Sequence, residues 1–298
     1  MPTRLTPRRC HLPIILHMET LTLFALAAII LADPIVACQG RLVSYADWRE
    51  TADTSWSLDL AASGGGHLNY RGIRHSRDPA DPQFGEVAAS YRSAQPTVVF
   101  YEGPDRGVGA DGPETIRTRG ESGFARWLAQ ENGARTESLE PSPIDQFHVL
   151  AARFPAEQVE LFFVLREVVR LRDREQKRGS ALDDAAQELL VRLNLVVATT
   201  EVVLPFNDLA TLDQTYSRYW PDGSDWRDAP AAWFDPTAED ADTGGQFMAT
   251  INAASSEFRN FHMYRQLARS AISGERVFAV VGRNHVPMQA EALRCALR

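Results

Sequence analysis

The sequence predicts an α/β fold: a mainly parallel central sheet, helices on both of its faces, and a helical or loop insertion. Three observations carry this. The segments "TVVFYEG" (97–103) and "RVFAVVG" (276–282) are β-branched, continuously apolar and too short for helices. Strands buried on both faces read that way, whereas a strand with one wet face alternates. Helix-period segments lie between the strands, which favours crossover connections. Finally, 298 residues at 44% hydrophobic and 23% charged suit one large domain, or one domain carrying an insertion.

Taken in order, "WSLDLAASGGGH" reads as a short strand around Ser57–Ala62 that ends in a glycine turn. In the next segment Phe84, Val87, Ala88 and Tyr91 share one helical face, and Pro96 stops the helix. After the 97–103 strand comes a helix over 120–132 with Gly133 past its end, then a weaker strand that finishes at Glu140-Pro141. From Pro155 to about Asn194 the pattern is helical, with Leu161, Val164, Leu165, Val168 and Val169 in one stripe and the charged run "RLRDREQKRG" as a solvated surface or connector. Residues 205–250 lack a sustained period and hold Trp220, Trp226 and Trp233, which reads as a long ordered loop or lid. Ser255 or Ser256 is placed to cap a helix that ends at Gly274 and feeds the last strand.

The first residues are of another kind. Arg4, Arg8 and Arg9 precede the apolar run Leu21–Leu31, which is short for a membrane span and suited to a signal-peptide core. "PIVAC" then resembles a lipobox, with Cys38 the lipidated residue and Met18 an alternative start. The expectation is a signal segment over 1–37 and a single α/β domain over 38–298, with a helical insertion at about 145–250, in an exported, periplasmic or membrane-anchored protein. Such processing removes Cys10 and leaves Cys295 alone, with no disulfide framework. The net charge of −8, with no dense basic run, excludes nucleic acid as a partner. Membrane contact is expected only through a lipid anchor, and the partner is a small-molecule or peptide substrate.

Open α/β sheets bind ligands beyond the carboxyl ends of their strands. The sequence puts His67 there three residues after Gly64, Glu102 after "VVFY", and His285 three residues after Gly282. Two imidazoles and a carboxylate can hold a divalent metal or share acid–base work on a water. Arg259, on the helix before the last strand, can hold an oxyanion or a substrate carboxylate. Glu140, Asn69 and Tyr70 are further substrate-binding candidates. A histidine after a single glycine turn is more often a solvated loop residue, and His75, His148 and Met263 are assigned to surface or core. His262 stays open between the two readings. Two matched Gly-x-x-His turns flanking a strand-end glutamate are harder to obtain by accident.

In order, these residues resemble the Tiki/TraB superfamily, which takes in ChaN-like haem-binding proteins and erythromycin esterases. Its shared pattern is two G-x-x-H motifs, a strand-end glutamate and an arginine before the second motif, matched here by Gly64/His67, Glu102, Arg259 and Gly282/His285. The match covers about residues 56–104 and 250–295. It implies a deep cleft in an α/β fold and three activities: metal-dependent proteolysis with manganese or cobalt, metal-free ester hydrolysis, or haem binding. Arg283, where the family commonly has a small residue, disfavours a cation and favours an anionic substrate. The expected function is an exported hydrolase that cleaves a peptide or ester bond with water activated at His67, Glu102 and His285. The alternative is a haem-binding lipoprotein that uses Tyr70 and Tyr101 beside His67 under the Trp-rich loop.

Overall fold

The computed structural model describes residues 33–48, 56–198 and 203–298. The apolar run Leu21–Leu31 lies outside them. Along the chain come α1 (Pro34–Cys38), α2 (Tyr45–Trp48), β1 (Ser57–Ala61), β2 (His67–Ile73), α3 (Pro82–Ala94), β3 (Val98–Tyr101), α4 (Gly112–Asn132) and β4 (Arg135–Ser138). A helical stretch follows: α5 (Pro143–Ala151), α6 (Ala156–Arg174), α7 (Ser180–Val197), α8 (Leu209–Tyr219) and α9 (Asp240–Thr243). The chain closes with α10 (Met248–Ile272), β5 (Arg276–Gly282) and α11 (His285–Ala296).

The strands form one sheet in the order β1-β2-β5-β3-β4. Pairing is parallel everywhere except between β1 and β2. Successive residues of a strand point to opposite faces, and here both faces are covered. Leu68, Phe100, Ala279 and Val281 pack with residues of α10 and α11, while Val99, Tyr101, Phe278 and Val280 pack with residues of α3 and α4. Burial on both sides is why these strands show no polar alternation.

Local chemistry sets the helix limits. Asp81 accepts from the Gln83 N–H at the start of α3, with Pro82 in the first turn, and Gln95 at φ 43° ends it before Pro96. In α4, Asp111 caps the start and Gly133 the end; the helix begins eight residues earlier than the sequence suggests and kinks at Gly120, φ 64°. The charged run 170–179 forms the last turn of α6 and then the connector to α7, which starts after Gly179 at φ 52°. In α10, Ser255 and Ser256 are buried mid-helix residues rather than caps, and the helix starts near Met248.

The insertion has its own core. Val164, Leu165 and Val168 of α6 are fully buried beside Leu190, Leu212 and Met248. Residues 205–250 are an ordered segment. They form α8, α9 and two short 3₁₀ turns, and their tryptophans are buried, with the Trp220 and Trp233 rings 4.7 Å apart and nearly parallel. Stacked rings removed from water anchor a segment that has no long helix of its own.

Two expectations are corrected here. Ser57–Ala61 is not a core strand that ends at the cleft. It is the antiparallel edge of a hairpin, with Ala61 opposite His67. The triple glycine serves close packing: a Cβ on Gly64 would stand 1.8 Å from the Ile272 carbonyl oxygen at the end of α10. The second correction concerns Cys38, whose sulfur is bonded to Cys295 of α11. A thioether to lipid needs that same sulfur. Ile35 and Cys38 are buried, and the Tyr264 hydroxyl donates to the Ile35 carbonyl over 2.8 Å, so Pro34–Cys38 packs into the folded body.

The disulfide closes a separation of 257 residues. A cross-link of that span restricts the unfolded chain strongly, an effect of about 2–4 kcal/mol in typical cases. Cys295→Ser is therefore expected to lower stability in urea by about that amount, with the same loss on reduction of the parent. Equal midpoints for the reduced and oxidised protein would refute the cross-link.

Candidate functional site

The carboxyl ends of β2, β5 and β3 lie side by side, and each delivers a polar group. At the end of β2, Gly72 in the strand and His75 just beyond it stand in the G-x-x-H spacing. Beyond β5, Gly282 and His285 do the same. Glu102 follows β3 directly. The two turns need their glycines because they touch. A Cβ on Gly72 would fall 2.7 Å from Arg283 Cα, and one on Gly282 would fall 3.2 Å from Glu102 Oε2 and 3.5 Å from His75 Nε2. The backbone N–H of Arg283 also donates to the Ile73 carbonyl over 3.0 Å, tying the strand ends together.

Glu102 is the centre of the cluster. Its Oε2 accepts from the Gly282 N–H at 2.7 Å, its Oε1 accepts from Arg259 Nη2 at 2.7 Å, and His285 Nε2 lies 3.4 Å from Oε1. Burial alone would push this carboxyl up. His285, Arg259 and the Gly282 N–H together hold it well below the usual carboxylate range. The Arg259 guanidinium, on α10, is shared with Glu140: Nε donates to Oε2 over 2.9 Å and Nη2 donates to Oε1. Two carboxylates raise its pKa despite burial. His285 is 7% exposed, with Nδ1 2.7 Å from Asn260 Oδ1, which also accepts from Gln289 Nε2. That arrangement points Nε2 at Glu102.

His75 is of a different character. Its side chain is 60% exposed, and Nδ1 contacts the Glu121 carboxylate on α4. The hydrogen bond to Glu121 raises its pKa, against a smaller lowering by burial. With Nδ1 occupied, Nε2 is the ring atom left for chemistry.

These groups line one cavity of about 780 Å³, together with Tyr45, Arg166, Arg283 and Phe234. That volume lies within the range of small-molecule sites, roughly 300–1,000 Å³. Of the residues expected from the sequence, Glu102, His285, Arg259, Glu140 and Arg283 meet here; the Arg283 guanidinium also lies 4.6 Å from the centre of the Trp56 ring. His67, Asn69 and Tyr70 do not. His67 is the first residue of β2, opposite Arg276 at the start of β5, and pairs with Asp59 at the far edge of the sheet. Asn69 is buried and donates to Asp59 Oδ2 over 3.0 Å. Tyr70 is fully buried between the sheet and the helices, and Tyr101 faces the α3–α4 side with Arg126 over its ring.

His75 is the residue that sequence reasoning missed. Its signal was present: "GIRH" (72–75) has the same spacing as "GRNH" (282–285) and ends a β-compatible run, "HLNYRGI". The same spacing in "GGGH" (64–67) falls at the β1–β2 turn, away from the cavity.

A divalent cation does not suit this donor set. Both Glu102 oxygens already accept from an N–H donor, Arg259 stands against them, and among the described residues no three His, Cys, Asp or Glu side chains are arranged to hold a metal ion. Haem loses the residues that suggested it, since Tyr70, Tyr101 and His67 lie off the cavity lining and the tryptophans are in the insertion core. No family model, curated protein or solved structure matches the chain.

Arg259→Met leaves two carboxylates without their cation, a change that costs about 3–5 kcal/mol in buried pairs. Because the folded pKa of Glu102 is depressed, its contribution is present above the ordinary carboxylate range and is lost as the pH falls. The stability gap between parent and Arg259→Met in urea is therefore expected to be large at pH 7 and to shrink through the acid range. A gap independent of pH would contradict the ion-pair account.

Proposed function

We propose that the protein is an exported hydrolase that cleaves an ester or amide bond by acid–base catalysis at the strand-edge cluster, without a metal. The observation that carries this reading is the meeting of His75, His285 and Glu102 at the ends of three neighbouring parallel strands, beside a cavity. The pattern of two G-x-x-H motifs, a strand-end glutamate and a helix arginine that resembles the Tiki/TraB superfamily is met by Gly72/His75, Glu102, Arg259 and Gly282/His285. Its ester-hydrolysing branch needs no metal, which agrees with the donor chemistry. Export is supported by the Cys38–Cys295 bond, since disulfides persist in oxidising compartments.

In this mechanism His75 Nε2 takes a proton from water as the water oxygen adds to the substrate carbonyl. Negative charge develops on the carbonyl oxygen. Arg259 Nη1, which has no hydrogen-bond partner among the described residues, is available to stabilise it. Collapse breaks the carbonyl bond to the leaving oxygen or nitrogen, which receives the proton from His75. Glu121 fixes the ring and balances the imidazolium. Glu102 and His285 form the charged floor that holds Arg259 in place.

A panel of p-nitrophenyl esters and fluorogenic peptides tests this reading. His75→Ala is expected to reduce turnover by about 10²–10⁴-fold, while His67→Ala leaves it unchanged and EDTA has no effect. Loss of activity in the His67 variant with retention in the His75 variant would reverse the assignment. The pH profile gives a separate check. A raised His75 pKa means that the base becomes available only above its ordinary value of about 6.5. Glu121→Gln removes the raising partner, so the rising limb should move to lower pH. A limb that stays in place would remove His75 from the proton-transfer role.

A further inference from the structure

The cavity is far more basic than the chain that builds it. Ten arginines and three glutamates line it, a surplus of seven positive charges. The whole chain carries −8, so everything outside the cavity sums to −15. A positive hollow in a negative body focuses the field on anions.

Structural pairing accounts for only part of the array. Arg126 pairs with Asp105, Arg170 with Glu167 and Glu175, and Arg259 with Glu102 and Glu140. Arg74, Arg77, Arg106, Arg119, Arg166 and Arg174 line the same cavity and form no ion pair among the described residues. Arg166 is the most telling of these. It is half-buried with its guanidinium 5.7 Å from the Phe162 ring, and it feels Arg259 as a like charge, offset in part by the carboxylates of Glu140, Glu167 and Glu102, with none of which it forms an ion pair. Gathering unpaired guanidiniums in one cleft costs self-repulsion, which an anion relieves.

Spacing narrows the ligand. Arg166, Arg170 and Arg174 recur every fourth residue on α6 and all line the cavity, a row of about 12 Å at 1.5 Å per residue. Arg74 and Arg77 follow β2 and Arg106 follows β3, near the proposed proton-transfer group. A phosphoryl group brings up to two charges and several strong acceptor oxygens, where a carboxylate brings one charge. In about 780 Å³, neutralising a surplus of seven needs that density.

We propose that the cleft binds a small molecule carrying two or more phosphoryl groups, held by the arginine row of α6 and by the arginines after β2 and β3. The inference names the substrate class of the site read above as hydrolytic, and so rests on that reading.

The test is calorimetric titration of the full, oxidised chain with inorganic tripolyphosphate, with citrate at equal ionic strength as the carboxylate control. Tripolyphosphate is expected to bind at least about tenfold more tightly than citrate. The variant Arg106→Gln/Arg174→Gln should weaken that binding by about tenfold or more, since each charge-assisted hydrogen bond to an anion is worth about that factor. Its melting temperature without ligand should equal or exceed the parent's, because like-charge repulsion has been removed; a purely structural arginine pair would lower it. Equal affinity for the two anions, or unchanged binding in the variant, overturns the inference. Ester and peptide turnover measured on the same preparations separates the two readings. Turnover with no tripolyphosphate binding overturns the ligand class alone, and binding with no turnover on any substrate overturns the hydrolytic reading alone.

Discussion

Glu102 is the constraint from which the rest of the site follows. A carboxylate placed this deep is stable only if its oxygens are fully hydrogen-bonded, and its donors come from three places in the chain. The Gly282 N–H belongs to the neighbouring strand, Arg259 to the helix that crosses the sheet, and His285 to the first turn of the final helix. Each donor fixes its own element. Through Arg259 the network extends to Glu140 beyond β4, so one buried charge ties the carboxyl ends of β3, β4 and β5 to α10.

That network also divides the two histidines. His285 is buried and held between Asn260 and Glu102, so both of its ring nitrogens face protein partners. His75 is largely exposed, with Nδ1 held by Glu121 and Nε2 close to Gly282 at the end of β5. Similar spacing in the sequence therefore yields unlike chemical roles, because burial and hydrogen-bond partners differ.

The helical insertion adds to the site as well as standing beside it. Its core of stacked tryptophans and the apolar stripe of α6 hold the opposite face of that helix, with Arg166, Arg170 and Arg174, against the cavity. A segment whose sequence shows little periodicity can still be ordered when its aromatic side chains find one another. For that reason the stretch around Trp220–Trp233 reads as a loop in isolation and packs as a subdomain in the fold.

By itself the sequence determined whatever depends on neighbours along the chain. The unbroken apolar runs of β3 and β5 required a sheet covered on both sides, and the endings of those strands placed Glu102 and His285 at one edge. The stripe in α6 marked its core face and the glycine beyond α4 marked where that helix ends, while the start of α4 and the break between α6 and α7 were not legible. Tertiary structure alone decided which strands are neighbours and that β1 runs antiparallel at the edge. Whether a glycine turn reverses the chain into a hairpin or opens it toward a cleft depends on what packs against the turn, and α10 against Gly64 made it a hairpin. That one outcome sent His67 to the far edge and left His75 at the site. The bond between Cys38 and Cys295 is of the same kind: two cysteines at opposite ends of the chain carry no mark of each other until α1 lies on α11.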